Sequence, residues 1–72
     1  MKSLLVIYDS SIADRGRDSY LKAIKKQIPN VVLADVRSGV DGIGYNQDYV
    51  LVLKPMSDKK YHQLNYEIRK LV

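Results

Sequence analysis

The sequence predicts a small α/β domain in which the order β-α-β-(β)-β-α forms two layers, a three- or four-stranded sheet and two helices. Three apolar runs of strand length alternate with two segments in which apolar residues recur at helical spacing. The runs are apolar at successive positions, which is typical of parallel strands that are buried on both faces. The 72 residues suffice for one domain, so residues 1–72 are expected to fold as a unit.

The first half of the chain predicts a strand, a helix and a second strand. Residues 4–8 are all apolar and precede the turn-forming sequence Asp9-Ser10-Ser11. A helical stripe follows, and it consists of Leu21, Ile24 and Ile28. Asp14 or Asp18 is expected to cap the start of this helix, and Pro29 ends it. The β-branched run 31–36 predicts the second strand.

The second half predicts a glycine-containing connection, a strand and a last helix. Residues 37–48 include three glycines and form the connection, in which Ile43 and Tyr45 suggest a short additional strand. Residues 49–53 predict the next strand. Ser57 is the expected cap of the last helix. The apolar stripe of that helix consists of Tyr61, Leu64, Ile68 and Leu71.

The number of helices predicts a homodimer. We expect both helices to lie on one side of the sheet, which leaves the other sheet face only partly covered by the connection. A second copy of the chain is the simplest cover, because most oligomers are symmetric dimers and small domains need additional burial.

The composition excludes several classes of site. There are no cysteines, which excludes disulfides and zinc sites built from thiolates. His62 is the single histidine and has only Asp58 nearby on its helix, with no nucleophile placed for it, so we expect neither an enzyme nor a bound metal or cofactor. No apolar run reaches the length of a membrane span, and we expect a cytoplasmic protein without membrane contact.

Both ends of the sequence resemble a response-regulator receiver domain. Residues 4–11 followed by a helix resemble its opening strand, and residues 31–42 resemble its second strand and the glycine turn after it. Residues 49–55, with Lys54-Pro55, and the helix that contains Ile68-Arg69 resemble its final strand, Lys-Pro turn and last helix. About half of the family pattern is matched, and the strand with the phosphorylated aspartate has no counterpart. The resemblance implies a metal-binding carboxylate at Asp9 and a phosphate-sensing lysine at Lys54.

Three charged residues follow the predicted strands at their carboxyl ends. If the strands are parallel, Asp9, Asp35 and Lys54 lie at one edge of the sheet, which is where ligands bind in open α/β folds. The carboxylates are suited to a hard cation such as magnesium, and the adjacent serines to a phosphate. The alternative is that these residues cap turns and helix starts, which is their commoner use.

The last helix carries the clearest candidate binding surface. Opposite its apolar stripe lies a set of basic and aromatic residues, Lys59, His62, Tyr66, Arg69 and Lys70, to which the connection adds Tyr45. An ordinary solvated helix face is the alternative reading of this set.

The leading hypothesis for function is a small non-catalytic regulatory or inhibitory protein that binds a protein partner through these residues. One alternative is nucleic-acid binding. It uses the same helix and the lysine-rich face of the first helix, since the net charge is +4. That face consists of Lys22, Lys25 and Lys26. A second alternative is a minimal receiver-like domain that binds phosphate or magnesium.

Overall fold

Three parallel strands and two helices make up the chain. The structure, a computed structural model, describes residues 3–70, with residue 70 described by its backbone alone. Its elements are β1 (Leu4–Tyr8), α1 (Arg15–Gln27), β2 (Val32–Asp35), β3 (Tyr49–Val52) and α2 (Asp58–Lys70). The strand order is β2-β1-β3, and both pairs are parallel. The predicted α/β class with a three-stranded sheet and two helices is confirmed.

Each helix begins after a polar cap that the sequence predicts, and of the two candidates for α1, Asp14 and Asp18, the cap is Asp14. The carboxylate of Asp14 accepts a 2.7 Å hydrogen bond from the backbone N–H of Arg17 at the start of α1. The hydroxyl of Ser57 accepts a 3.3 Å bond from the backbone N–H of Lys60 at the start of α2. These bonds satisfy N–H groups that lack a partner within the helix.

The two helices pack on opposite faces of the sheet. Leu5 and Ile7 of β1 point to one face and belong to a buried cluster with Leu64 of α2. Val6 points to the other face and packs in a second cluster with residues of α1, namely Leu21 and Ile24. The predicted two-layer arrangement is therefore wrong, and the domain has three layers with the sheet between the helices.

The strand order explains why α1 and the connection 36–48 lie on opposite faces of the sheet. From β1 the chain moves outward to β2 through α1, and from β2 it returns past β1 to β3 through residues 36–48. Right-handed connections that run in opposite directions along a parallel sheet lie on opposite faces. Residues 36–48 accordingly cover the α2 side, where Val40 is buried and both Ile43 and Tyr45 are half-buried.

Two expectations are affected by this arrangement. Within residues 3–70, Ile43 and Tyr45 form no fourth strand, and their side chains instead add to the core on the α2 side. Helices cover both sheet faces, so the uncovered face from which the homodimer was inferred does not exist.

The sheet keeps two exposed edges because it is only three strands wide. Exposed apolar or aromatic side chains lie on β2 at Val32 and Leu33, and on β3 at Tyr49 and Val50. Edge strands also present backbone N–H and C=O groups on their outer side, which makes them places where another chain can pair.

Candidate functional site

The carboxyl ends of β1 and β2 bring two aspartates and two serines together. Tyr8 at the end of β1 lies opposite Asp35 of β2 in the parallel register, and Asp9 follows Tyr8 directly. The turn after β1 adds Ser10 and Ser11. We refer to this group, with Lys60 of α2, as the strand-end cluster.

Asp9 is a fully buried carboxylate with three hydrogen-bond donors. Its exposed fraction is 1%. Ser11 donates to one carboxylate oxygen from its backbone N–H at 3.0 Å and from its hydroxyl at 2.6 Å. The ammonium of Lys60 donates to the other oxygen at 3.2 Å. Burial raises the pKa of Asp9, but the hydrogen bonds from Ser11 and Lys60 and the charge of Lys60 outweigh it, so the pKa lies below its ordinary value of 3.8.

Asp35 is held in the same way by the neighbouring serine. The hydroxyl and the backbone N–H of Ser10 donate to its two carboxylate oxygens, the backbone bond being 3.0 Å long. The backbone N–H of Arg37 donates a third bond, also at 3.0 Å. Burial raises the pKa of Asp35, and so does the charge of Asp9, but the hydrogen bonds from Ser10 and Arg37 lower it below 3.8.

Arg17 supports the cluster from within the core on the α1 side. Its guanidinium is buried, lies 5.9 Å from the centre of the Tyr8 ring and donates to the backbone carbonyl of Asp9. It also pairs with Asp18 at 3.0 Å. The sequence pattern places Arg17 only beside the apolar stripe of α1, so its burial and its bond to the turn after β1 went unpredicted.

Lys54 does not join the aspartates, although the sequence places it with them. Its ammonium lies 4.9 Å from the centre of the Tyr61 ring. The lysine that reaches Asp9 is Lys60, which also donates to the carbonyl of Arg37 at 3.5 Å. The only sequence signal for Lys60 is its position three residues after the cap Ser57, in the first turn of a helix that follows a strand.

The polar groups of the strand-end cluster form hydrogen bonds with one another. The carboxylates of Asp9 and Asp35 accept hydrogen bonds from the serine hydroxyls and from backbone N–H groups, and these bonds hold both pKa values below 3.8. Within residues 3–70, no group of three or more histidine, aspartate or glutamate side chains is arranged to hold a metal ion. The geometry is that of a cluster that fixes the turns after β1 and β2.

The basic and aromatic residues of α2 share one exposed helix face. Lys59, His62 and Arg69 are exposed, and Tyr66 has an exposed fraction of 63%. We call these four residues the α2 face. The fifth predicted member, Lys70, has its side chain outside the described part of the structure.

An open cleft adjoins this face. Its volume is about 380 Å³. The lining residues come from α2 and from the connection before β3, and they are Val40, Asp41, His62, Gln63, Tyr66 and Glu67. A partner on the α2 face therefore meets an acidic side as well as the basic residues.

Tyr45 does not belong to the exposed surface with which the sequence groups it. Its ring packs against the core on the α2 side, and its hydroxyl is buried with no hydrogen-bond partner among the described residues. Burial, and secondarily the charge of Glu67, raises the pKa of Tyr45 above its ordinary value of 10.0.

A second groove lies on the other side of the sheet, between α1 and β2. Its volume is about 520 Å³. The lining residues are Tyr8, Ser10, Asp18, Leu21, Lys22, Lys25 and Leu33, and we call this the β2-edge groove. Patterns in the sequence do not identify it, because it is formed by residues from three separate elements.

The described helices include none that is long and apolar enough to cross a membrane. Comparison with protein-family models, with curated proteins and with solved structures finds no match to this chain.

Proposed function

We propose that this chain is a small non-catalytic regulatory or inhibitory protein that acts by binding a protein partner through the α2 face. The observation that carries the proposal is the 63% exposure of Tyr66 on a helix face that it shares with Arg69. Tyrosine and arginine are the residue types enriched among the side chains that dominate protein–protein binding energies. A cytoplasmic setting remains a prediction of the sequence.

The surroundings of Tyr66 support a protein partner. A ring with a polar hydroxyl offers a rigid contact that stays compatible with water when no partner is bound. The adjacent cleft, whose lining includes Val40 and His62, gives the ring of a partner side chain a place to enter. The exposed cations Lys59 and Arg69 provide the polar rim that such interfaces have.

The charge distribution favours protein over nucleic acid. Asp41 and Glu67 line the cleft beside Tyr66, and their carboxylates repel a phosphate backbone. The lysines of α1 lie on the opposite side of the sheet from the α2 face, so the two basic regions do not form one continuous surface.

A receiver-like role in phosphate or magnesium binding has less support, because donors within the chain already occupy the oxygens of Asp9 and Asp35.

The bonding of the two aspartates supports a non-catalytic role, because donors within the chain already bond to the carboxylate oxygens of Asp9 and Asp35. His62 is exposed on the α2 face, where it is placed for contact with a partner.

The test is capture of partners from the lysate of the native host by the tagged chain, with and without nuclease, at near-physiological salt. We expect a discrete protein that is retained after nuclease treatment. Tyr66→Ala and Arg69→Ala should each weaken its binding by about tenfold or more. Tyr20→Ala is the matched control, since Tyr20 is 47% exposed on the opposite helix and its removal should leave binding within about twofold.

Two results would contradict the proposal. If nuclease removes the captured material and its affinity falls steeply with salt, the chain binds nucleic acid instead. Equal losses for Tyr20→Ala and Tyr66→Ala would show that the α2 face is not the interface.

The homodimer stays a separate prediction, since it now lacks its original reason. Sedimentation equilibrium over a wide range of protein concentrations measures the mass directly. A monomeric mass at all concentrations would exclude the homodimer without affecting the proposal for the α2 face.

A further inference from the structure

We infer that the β2-edge groove is a second docking site, which binds an extended acidic segment of a partner protein as a fourth strand beside β2. The inference does not depend on the α2 face, because the groove lies on the α1 side of the sheet. It rests on three features: an open strand edge, an apolar floor and a basic wall.

The open strand edge supplies the backbone pairing. β2 has β1 as its single neighbour in the sheet, and the N–H of Val36 just after β2 bonds to the carbonyl of Tyr8. Alternate residues of a strand direct their backbone groups to opposite sides, so Leu33 and Asp35 direct theirs outward, away from β1. Extended peptides add to exposed sheet edges of this kind through main-chain hydrogen bonds.

The apolar floor supplies burial. Leu33 is 37% exposed at the edge, and the half-buried ring of Tyr8 lies beside it on the next strand. Leu21 of α1 closes the inner side of the groove. An added strand would cover Leu33 and exclude water from this floor, which favours binding in proportion to the apolar area removed from water.

The basic wall determines the charge of the occupant. Asp18 lines the groove, but it is paired with Arg17 at 3.0 Å. Lys25 donates to the backbone carbonyls of Pro29 and Val31, which leaves its positive charge uncompensated. Across residues 3–70, no salt bridge engages Lys22 or Lys25. The groove therefore favours carboxylate side chains and disfavours lysine or arginine.

The probe is a fluorescein-labelled peptide of about eight residues in which glutamate alternates with valine, a length suited to one strand. Alternation places all glutamates on one face of the added strand, where they reach the lysines of α1 while their methylene groups cover Leu33. A peptide with lysine at each glutamate position is the control for charge.

The matched variants are Lys22→Glu and Lys26→Glu. Both reverse one charge on α1, but only Lys22 lines the groove. Fluorescence anisotropy should show saturable binding of the acidic peptide that Lys22→Glu weakens by about tenfold or more, while Lys26→Glu leaves it within about threefold. In a proton–nitrogen correlation spectrum of the labelled protein, the largest peptide-induced shifts should be those of the Leu33 and Asp35 amides.

Several results would overturn the inference. They are equal binding of the acidic and the basic peptide, equal weakening by the two charge reversals, and amide shifts that centre on β3. If an oligothymidine instead displaces the peptide, and Lys22→Glu and Lys26→Glu weaken its binding to the same extents as they weaken that of the peptide, the groove is assigned to nucleic acid. A dimer in sedimentation equilibrium that Leu33→Asp dissociates would assign the groove to a second copy of the chain.

Discussion

Two regions of the molecule collect charged and hydroxyl-bearing side chains, and they differ in where those groups find their partners. In the strand-end cluster, the carboxylate of Asp9 is buried and bonded by Ser11 and Lys60. On the α2 face, Tyr66 and Arg69 project into solvent. A polar group that is satisfied inside the chain stabilises the fold, whereas an aromatic side chain that is 63% exposed among cations presents apolar area that another molecule can cover.

This difference has a measurable form. Substitutions in the strand-end cluster should change the free energy of unfolding, and substitutions on the α2 face should change binding instead. The predictions that follow run from the largest expected change in stability to the smallest.

Replacing the buried carboxylate should have the largest effect. Asp9→Asn keeps the side-chain volume but turns an acceptor into a donor that faces the donors of Ser11 or Lys60. We expect a loss of about 2–3 kcal/mol in the free energy of unfolding, because Ser11 and Lys60 lose an ionised acceptor at a buried position. Urea denaturation measures this loss. The control is Asp58→Asn, which changes an exposed side chain in the first turn of α2 and should cost less than about 1 kcal/mol. Equal losses for the two variants would contradict the assigned role of Asp9.

Lys59 and Lys60 offer a sharper comparison, because they are adjacent residues of the same type in α2 whose side chains point in different directions. Lys60→Met removes the ammonium that bonds to Asp9 and should cost about 1–2 kcal/mol. Lys59→Met changes a residue of the α2 face and should alter the free energy of unfolding by less than about 0.5 kcal/mol. Thermal and urea denaturation of both variants measure the contrast. If Lys59→Met were the more destabilising, the division between the two regions would not hold.

The hydroxyl of Ser11 should make stability depend on pH in a defined direction. The pKa of Asp9 is lower in the folded chain than in the unfolded chain, where it is near 3.8. The resulting stabilisation is therefore nearly complete above about pH 5 and is lost as the pH falls through the folded-state pKa. Ser11→Ala removes one of the bonds that lower this pKa. It should cost about 1 kcal/mol at neutral pH, and the difference from the unaltered chain should shrink toward zero in acid.

Urea denaturation at several pH values between about 7 and 2 tests this prediction, and carbon-detected titration of the Asp9 carboxyl measures its pKa directly. Ser38→Ala is a control, since Ser38 is exposed in the turn after β2. A loss that is the same at all pH values would mean that the hydroxyl does not act through the ionised form of Asp9.

The local elements of this fold were predictable from the sequence. β1 coincides with the predicted run 4–8, and β2 and β3 fall within the predicted runs 31–36 and 49–53. The caps Asp14 and Ser57 were predicted as well. Strand runs and caps depend on residues a few positions apart, and the side-chain types present there determine them.

The relations between distant segments were not predictable in the same way. The placement of α1 and of residues 36–48 on opposite faces follows from the strand order, which no local pattern encodes. The packing of α2 on the second face depends on the long-range cluster that Leu64 forms with Leu5 and Ile7.

The bond between Asp9 and Lys60 joins residues 51 positions apart, so the sequence favoured Lys54 for that position instead. The exposure of Tyr66 was anticipated from its position opposite the apolar stripe, but the partial burial of Tyr45 was not, because it depends on how the connection before β3 folds back on the core.

The smallest expected change in stability belongs to the residue with the largest expected effect on binding. Tyr66→Ala should alter the free energy of unfolding by less than about 0.5 kcal/mol, because most of the ring is already in contact with water and alanine is a better helix former. The same variant should weaken capture of the partner protein by about tenfold or more. Urea denaturation and affinity measured on one preparation give the two values together. A large loss of stability would mean that Tyr66 holds α2 in place, and its effect on binding would then follow from the fold rather than from contact with a partner.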